Sequence, residues 1–430
     1  LKQADVIIIG GGAAGFFTAI NAVENNPKLK IIILERGKEV LTKVKVSGGG
    51  RCNVTHAEFL PKELSKNYPR GEKELLGPFH TFMTGDTIAW FEKRGVELKI
   101  EEDGRMFPVS DSSQTIIDCF LSETKRLGVE VLLNQSVKEI RRESEHFILN
   151  TTTDTFSASK VVVATGSNPK IWQLLEGLGH TIVPAVPSLF TFNIKDVRIA
   201  DLGGITTNAR IKILTGSFPQ SGEGGFRPQR AEDGRGILEN DGPLLITHWG
   251  MSGPAILKLS AWGARLLAPL KYHFNIEVNW LNKLSEEEVL DFLREMKNSQ
   301  GKQTIFKYAQ FELPKRLWQR LVKASGIAET LTWADATREN LQNLANQLTA
   351  GIFEVTGKST FKEEFVTAGG VDLKEVNFKT FESRKIPGLY FAGEVLNIDA
   401  ITGGFNFQNA WTGGFIVSQN LSSPGPSEGG

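Results

Sequence analysis

The chain has 430 residues, room for two or three domains that each bury a core. Its 49 Lys and Arg match its 49 Asp and Glu, so net charge gives no steering, and neither a nucleic-acid nor a membrane partner is expected. Two cysteines, Cys52 and Cys119, lie far apart without a C-x-x-C, which argues against a disulfide scaffold, a zinc site or a redox dithiol.

The first predicted element is the strand Asp5-Val6-Ile7-Ile8-Ile9. Four β-branched residues in a row read as a buried parallel strand, followed at once by Gly10-Gly11-Gly12-Ala13-Ala14-Gly15. Gly10, Gly12 and Gly15 complete G-x-G-x-x-G, and Phe16 to Val23 continues as a helix. In such a unit the first glycine makes the turn and the second lets the backbone approach a pyrophosphate. The third lets helix and strand pack closely, and the free N–H groups of the helix face the phosphates. The run from Val6 to Ile20 is too short to span a bilayer and lacks a basic leader with a cleavage site, so a soluble, cytoplasmic protein is expected. A second strand, Ile31 to Leu34, ends in Glu35, 20 residues beyond Gly15, where an acceptor for ribose hydroxyls belongs.

Lys43-Val44-Lys45-Val46-Ser47-Gly48-Gly49-Gly50-Arg51-Cys52-Asn53 follows. A triple glycine cannot hold a helix or strand interior, so the stretch reads as a loop whose backbone lies against a flat or anionic ligand. Residues 60–130 look largely helical, clearest at Thr87 to Lys93 and Ser113 to Leu127, with Gly104 to Pro108 as a turn between them. Gly128 to Leu133 is a strand that Ser136 to Ile140 continues, and a hairpin follows at Phe147 to Asn150 and Asp154 to Ser157. Lys160 to Ala164 then returns as a buried strand into the turn Thr165-Gly166. A β-rich crossover placed here points to an FAD domain; a plain NAD dehydrogenase would carry a helical one.

From Ser188 the pattern changes to strands of a small sheet or barrel at 189–194, 209–214, 244–247 and 272–278. Thr215 to Gly236, rich in Gly, Pro and charge, reads as a mobile loop and a candidate lid. Thr247-His248-Trp249-Gly250-Met251-Ser252-Gly253-Pro254 joins a strand to the helix from Ala255 to Leu267. Ser285-Glu286-Glu287-Glu288 is a capping box, and helices at 289–297, 313–324 and 337–348 form a helical subdomain. Strands return at 352–355, 364–368 and 389–392, the last ending in Gly393-Glu394. A closing helix begins near Gly404-Phe405-Asn406, and Ser422 to Gly430 reads as a disordered tail.

The blocks K-V-x-x-S-G-G-G-R-C-N (43–53), T-H-W-G-M-S-G-P-A-I-L (247–257), T-A-G-G-V (367–371), G-L-Y-F-A-G-E-V-L (388–396) and T-G-G-F-N-F-Q-N-A (402–410) resemble one group. The chain is similar, over essentially its whole length, to the BaiN-like, aminoacetone-oxidase-like FAD-dependent oxidoreductases. It departs from that pattern at Asn397 and Ala400, where the family often has Asp and Gly, and in a longer 215–236 loop. The resemblance implies an α/β fold: a Rossmann-like FAD-binding domain with a β-meander crossover, carrying an inserted β-rich, barrel-like domain and a small helical subdomain. The boundaries expected are FAD domain 1–187 and 372–421, β-rich domain 188–280 with a return at 351–371, helical subdomain 281–350 and tail 422–430.

The resemblance also implies a residue set. Non-covalent FAD would lay its pyrophosphate on Gly10, Gly12, Ala13, Ala14 and Gly15, and its ribose on Glu35 beside Arg36. Its adenine would lie near Val137, Ala164, Thr165 and Gly166. Lys43, Ser47, Gly49, Gly50, Arg51, Cys52 and Asn53 would border the flavin. Gly393 and Glu394 would reach the ribityl chain, and the amides of Gly404, Phe405 and Asn406 would face the pyrimidine end. No metal is expected. Cys52 reads as a small packed residue beside the cofactor, ahead of a redox thiol. His248 is a weak candidate for proton transfer; a structural histidine satisfied by backbone is the preferred reading. The expected activity is hydride transfer between a small organic substrate and flavin N5, with the substrate between the FAD and β-rich domains. No second complete G-x-G-x-x-G unit follows residue 166, so NAD(P)H would dock transiently, or O2 would accept the electrons. The alternatives are a flavoprotein of tRNA modification, which should show a basic face, and a non-catalytic FAD-binding sensor.

Overall fold

A computed structural model of the chain describes residues 1–214, 238–359 and 366–421. The expected lid loop at 215–236 and the tail at 422–430 lie outside the described residues. The chain divides into two compact units, Leu1–Val186 with Lys362–Gly430, and Pro187–Phe361.

The first unit is built on a nine-stranded sheet. Its parallel part runs Leu389–Phe391, Thr155–Val163, Lys2–Ile9, Ile31–Leu34, Glu130–Leu132. The strands read as unbroken β-branched runs because both faces are covered, and Val6 to Ile8 and Val161 to Val163 are fully buried. An antiparallel hairpin, Glu139–Glu143 with His146–Asn150, pairs onto Thr155–Val163 and supplies the crossover. Register aligns the strand ends: Ile9 pairs with Leu34 and Val163, Leu34 with Leu132, and Val163 with Phe391. The turns that follow therefore all leave one edge of the sheet, its carboxyl end.

Helices Ala13–Asn25 and Phe405–Leu421 cover the sheet and pack on each other through glycine. A Cβ at Gly414 would stand 3.0 Å from Thr18 Oγ1 and 3.2 Å from the Ala14 carbonyl oxygen. Phe17, Trp90, Phe120 and Trp411 fill the space around them as tilted aromatic pairs. Between 42 and 126 lie the helices Thr42–Gly50, Pro61–Ser65, Glu72–Phe79, Thr84–Glu92 and Ser113–Arg126. Gly104 to Pro108, expected as a turn, differs: Arg105–Pro108 is the middle strand of a three-stranded sheet with Thr55–His56 and Leu98–Ile100. Leu98–Ile100 is its hairpin partner, and only the other neighbour, Thr55–His56, comes from distant sequence. Strand Val366–Val371 likewise pairs with Ile182–Ser188, not with the barrel strands that precede it. Gly369 and Gly370 permit this; a Cβ on Gly369 would meet the Pro184 oxygen at 2.9 Å.

The second unit is a closed barrel in the order Thr191–Asn193, Gly250–Ser252, Glu239–Thr247, Thr206–Ile213, His273–Asn279, Gly351–Ser359. Closure leaves no free edge among these strands. Helix Pro254–Leu267 and helices Glu286–Ser299, Lys315–Ala324 and Arg338–Thr349 share one core with it, in which Trp280, Trp318 and Trp333 are buried.

Candidate functional site

Four turns at the carboxyl edge of the parallel sheet form the candidate site. Gly10 (φ +113°) donates to the Leu34 carbonyl at 2.9 Å, and a Cβ there would stand 2.5 Å from the Ala164 oxygen. A Cβ on Gly15 would stand 2.1 Å from the Gly10 oxygen. At Gly12, which begins helix Ala13–Asn25, a Cβ would meet nothing within 4 Å. Two of the three motif glycines are therefore required by the fold itself, and the third keeps the space over the helix N-terminus clear. That N-terminus has no side-chain cap and no acidic residue in its first turn, which leaves its N–H groups and positive end for an anion. Ala13 and Ala14 lie in that first turn.

Glu35 leaves the next strand and turns its carboxylate back on the loop. Its two oxygens accept from Gly11 N at 2.8 Å and Gly37 N at 2.7 Å. Arg36 beside it is exposed. Gln135 N donates to the Glu35 carbonyl at 2.8 Å, which brings the segment of buried Val137 to the same strand end. Ala164 N bonds Ile9 O at 2.8 Å, so Ala164, Thr165 and Gly166 turn beside Gly10. Gly393 (φ +75°) continues the last strand with its Cβ position 3.3 Å from Ala14 Cβ, and Glu394 pairs with Lys43 at 2.6 Å. The expected adenosine-side and ribityl-side residues thus converge on one edge.

Helix Thr42–Gly50 breaks at Ser47, and Gly48, Gly49 and Gly50 all have positive φ. Gly49 and Gly50 face open space, with nothing within 4 Å of a Cβ. Cys52, itself at φ +61°, is fully buried, and burial pushes its thiol up to about 12, so it is a protonated packing residue at neutral pH. Arg51 turns elsewhere: its guanidinium lies 3.9 Å from the Phe107 ring centre and pairs with Glu101 at 2.5 Å and Asp111 at 3.4 Å. Asn53, with its amide placed to satisfy its neighbours, accepts from Gly404 N at 3.0 Å and donates to Thr55 O at 3.0 Å and Met106 O at 3.3 Å. Gly404 N is thereby taken by Asn53, and the first-turn N–H groups of Phe405 and Asn406 are the ones left for a ligand. The Asn406 side chain closes the preceding loop by bonding both N and O of Ala400. The Phe405 ring is buried.

Several supports carry no sequence signal. His56 Nδ1 is 3.1 Å from Gly403 O, and its ring lies 4.5 Å from that of Phe405. Tyr68 donates to Phe405 O at 2.6 Å. Arg70 makes a two-pronged ion pair with fully buried Asp399, and Gln408 accepts from Thr55 and Thr87. Only His56, three residues beyond Asn53 in the glycine block, could have been singled out from its position. His248 is in the second unit, exposed in the tight turn between Glu239–Thr247 and Gly250–Ser252, with its ring against Gly203. It lies in a hairpin, not directly at a helix start.

A dinucleotide fits these residues: an open anion-binding helix start, a carboxylate at the second strand end, and a glycine-lined loop with empty space. Residues 4–420 match the family described as HI0933-like protein Rossmann domain. The chain is 29% identical over 429 residues to the ribosomal RNA dihydrouridine synthase of Escherichia coli K12, covering 98% of each chain. It is 28% identical to the Haemophilus influenzae protein of the same name, over 98% of this chain and 99% of that one. It is 26% identical to the 3-dehydro-bile acid delta(4,6)-reductase of Clostridium scindens, over 96% and 97%.

Proposed function

The chain belongs to the HI0933-like family, whose members here are FAD-dependent oxidoreductases, and on that premise we propose that it reduces a carbon–carbon double bond conjugated to a carbonyl, in a uridine of ribosomal RNA. The observation that carries the reading is the carboxyl-edge cradle, joined to relatives that align over nearly the whole chain. Their names give different substrates but one chemistry. Forming dihydrouridine and reducing a delta(4,6) bile acid both saturate an alkene whose electrons a carbonyl draws away. The RNA substrate is preferred because two relatives from two organisms carry it.

FAD, when bound, would supply a hydride to the electron-poor carbon, with reduced nicotinamide as the source of the electron pair and solvent as the source of the proton added to the neighbouring carbon. The chain's own residues bind and orient. Gly10, Gly12, Ala13, Ala14 and Gly15 would hold the pyrophosphate, Glu35 the ribose, and Val137 with Ala164, Thr165 and Gly166 the adenine side. Lys43, Ser47, Gly49, Gly50, Cys52, Asn53, Gly393 and Glu394 would border the rest. The N–H groups of Phe405 and Asn406 stabilise negative charge on a ring placed at that helix start, by about 0.3–1 kcal/mol. Arg51, engaged with Glu101 and Asp111, would act by holding the glycine loop in place.

A second reading, a small polycyclic enone as substrate, is favoured by the Clostridium scindens relative. The test is anaerobic reduction of the yellow protein by NADH or NADPH, followed by protein-free ribosomal RNA or a steroid dienone. Reoxidation of the flavin by RNA, with a mass gain of two hydrogens in one uridine, supports the RNA reading. Turnover of the dienone with RNA unchanged replaces it by the second; reoxidation by air alone overturns both.

A further inference from the structure

The balanced charge of the whole chain hides a local imbalance. Between residues 302 and 323 stand Lys302, Lys307, Lys315, Arg316, Arg320 and Lys323, against one acid, Glu312. The preceding helix is opposite in character, with Glu286, Glu287 and Glu288 in its first turn and Asp291 in the next. At about 100° per residue, Lys315, Arg316, Arg320 and Lys323 fall on one half of helix Lys315–Ala324, and Leu317, Trp318, Leu321 and Val322 on the other. Those four apolar residues are fully buried in the core of the second unit. The helix is clamped by one face, so the cationic face is held outward.

Half of these charges meet a partner inside the protein. Arg316 donates to the Asp201 carbonyl, Arg320 is 3.8 Å from the Asp201 carboxylate, and Lys323 pairs with Glu329 at 2.6 Å. Lys302, Lys307 and Lys315 have no acidic partner among the described residues. Tyr308 stands 45% exposed beside them, with the Lys307 ammonium 5.5 Å from its ring centre.

We propose that the cationic face of helix Lys315–Ala324, with Lys302, Lys307 and Tyr308 ahead of it, docks the RNA substrate; this rests on the ribosomal-RNA reading above. Fixed cations neutralise backbone phosphates and release counterions, and an exposed aromatic ring offers a platform to an unpaired base. A bilayer fits less well. Its amphipathic anchors present an apolar face, and the apolar face of this helix is already consumed by the core.

The test uses the FAD-loaded full chain and fluorescently labelled fragments of protein-free ribosomal RNA, with binding followed over a range of salt. Lys302→Gln, Lys307→Gln and Lys315→Gln together break no ion pair. They should weaken binding about tenfold or more at low salt and flatten the slope of log affinity against log salt by about two units. Tyr308→Ala should weaken binding several-fold with the slope unchanged. Bound flavin and melting temperature should stay at wild-type values in both variants. Wild-type binding with an unaltered triple variant overturns the surface and leaves the RNA reading standing. Failure of the wild-type protein to bind or reduce RNA overturns the RNA reading itself. Competition by polyglutamate or anionic vesicles as strong as by RNA overturns the proposal in favour of an acidic protein or a membrane.

Discussion

The two units solve the problem of function in opposite ways. In the first, the proposed working surface is backbone. Gly12, Gly49 and Gly50, where a Cβ would meet no protein atom within 4 Å, leave room for a ligand to approach the main chain. In the second, described residues form a closed barrel and a tryptophan-rich core, and the proposed docking chemistry would be carried by long cationic side chains. A backbone site is intolerant of any added atom. A side-chain surface tolerates each single change and responds to the sum.

The largest test of that contrast is Trp318→Ala in the second unit. The ring is fully buried and its Nε1 donates to Ile305 O at 2.8 Å, so truncation should cost about 3–5 kcal/mol. Tryptophan fluorescence should report an earlier melt, while flavin remains bound in the folded protein. Loss of flavin from the folded variant would break the distinction between the units.

A glycine pair sharpens it next. Gly15→Val places Cβ against the Gly10 oxygen and should cost about 3 kcal/mol of stability, with loss of flavin. Gly12→Val meets no protein atom at Cβ, so it should melt near wild type yet purify colourless. Equal melting temperatures for the two variants would show that Gly15 is not the structural member.

Smaller again is Glu35→Ala. It removes a charged acceptor and leaves Gly11 N and Gly37 N unsatisfied, so FAD affinity should fall by about 1–3 kcal/mol. Full flavin occupancy after extended dialysis would remove Glu35 from the site.

The smallest effect is a pH dependence carried by His180 and Glu375 in the first unit. Burial pushes the His180 imidazole below its usual 6.5, although Glu375 beside it pulls the other way. Its share of stability is therefore whole above 6.5 and lost as pH falls beneath that value. Burial alone would raise Glu375, but bonds from Lys385, Thr181 and His180 outweigh it and hold the carboxyl at about 2, against an ordinary 4.5. That share is whole above 4.5 and lost between there and about 2. The first unit's melting temperature should fall in two acid steps, and Glu375→Gln should shrink the lower one, to which Asp111, Glu123 and Asp154 also contribute.

What was legible in the sequence follows the same division. Gly10 to Gly15, Glu35 and the strand at Leu389 were readable because each motif is a short stretch in which every residue has a backbone role. The supports behind them were not. Arg70 meets Asp399, Thr55 meets Gln408 and Tyr68 meets Phe405 across more than three hundred residues, with no periodicity to reveal the pairing. Arg51 adjoins the glycines and is expected at the flavin border, but the partners of its guanidinium, Glu101 and Phe107, lie in and beside a small sheet whose middle strand reads as a turn. The cationic helix was missed for a different reason: a whole-chain charge balance averages it away.

The parallel sheet receives Leu389–Phe391 beside Thr155–Val163 only after the entire second unit has intervened in the chain. Trp172 Nε1 donates to Val395 O across 223 residues. During synthesis, which proceeds from the N-terminus, the barrel can close while the sheet still shows an unpaired edge at Val161 to Val163. One of the four turns of the proposed cradle, Gly393-Glu394, and the helix start at Phe405 then wait on the end of synthesis, which would make flavin capture a late event. A chain truncated before Leu389 would leave the edge of Thr155–Val163 unpaired and lack the Gly393 turn of the proposed cradle.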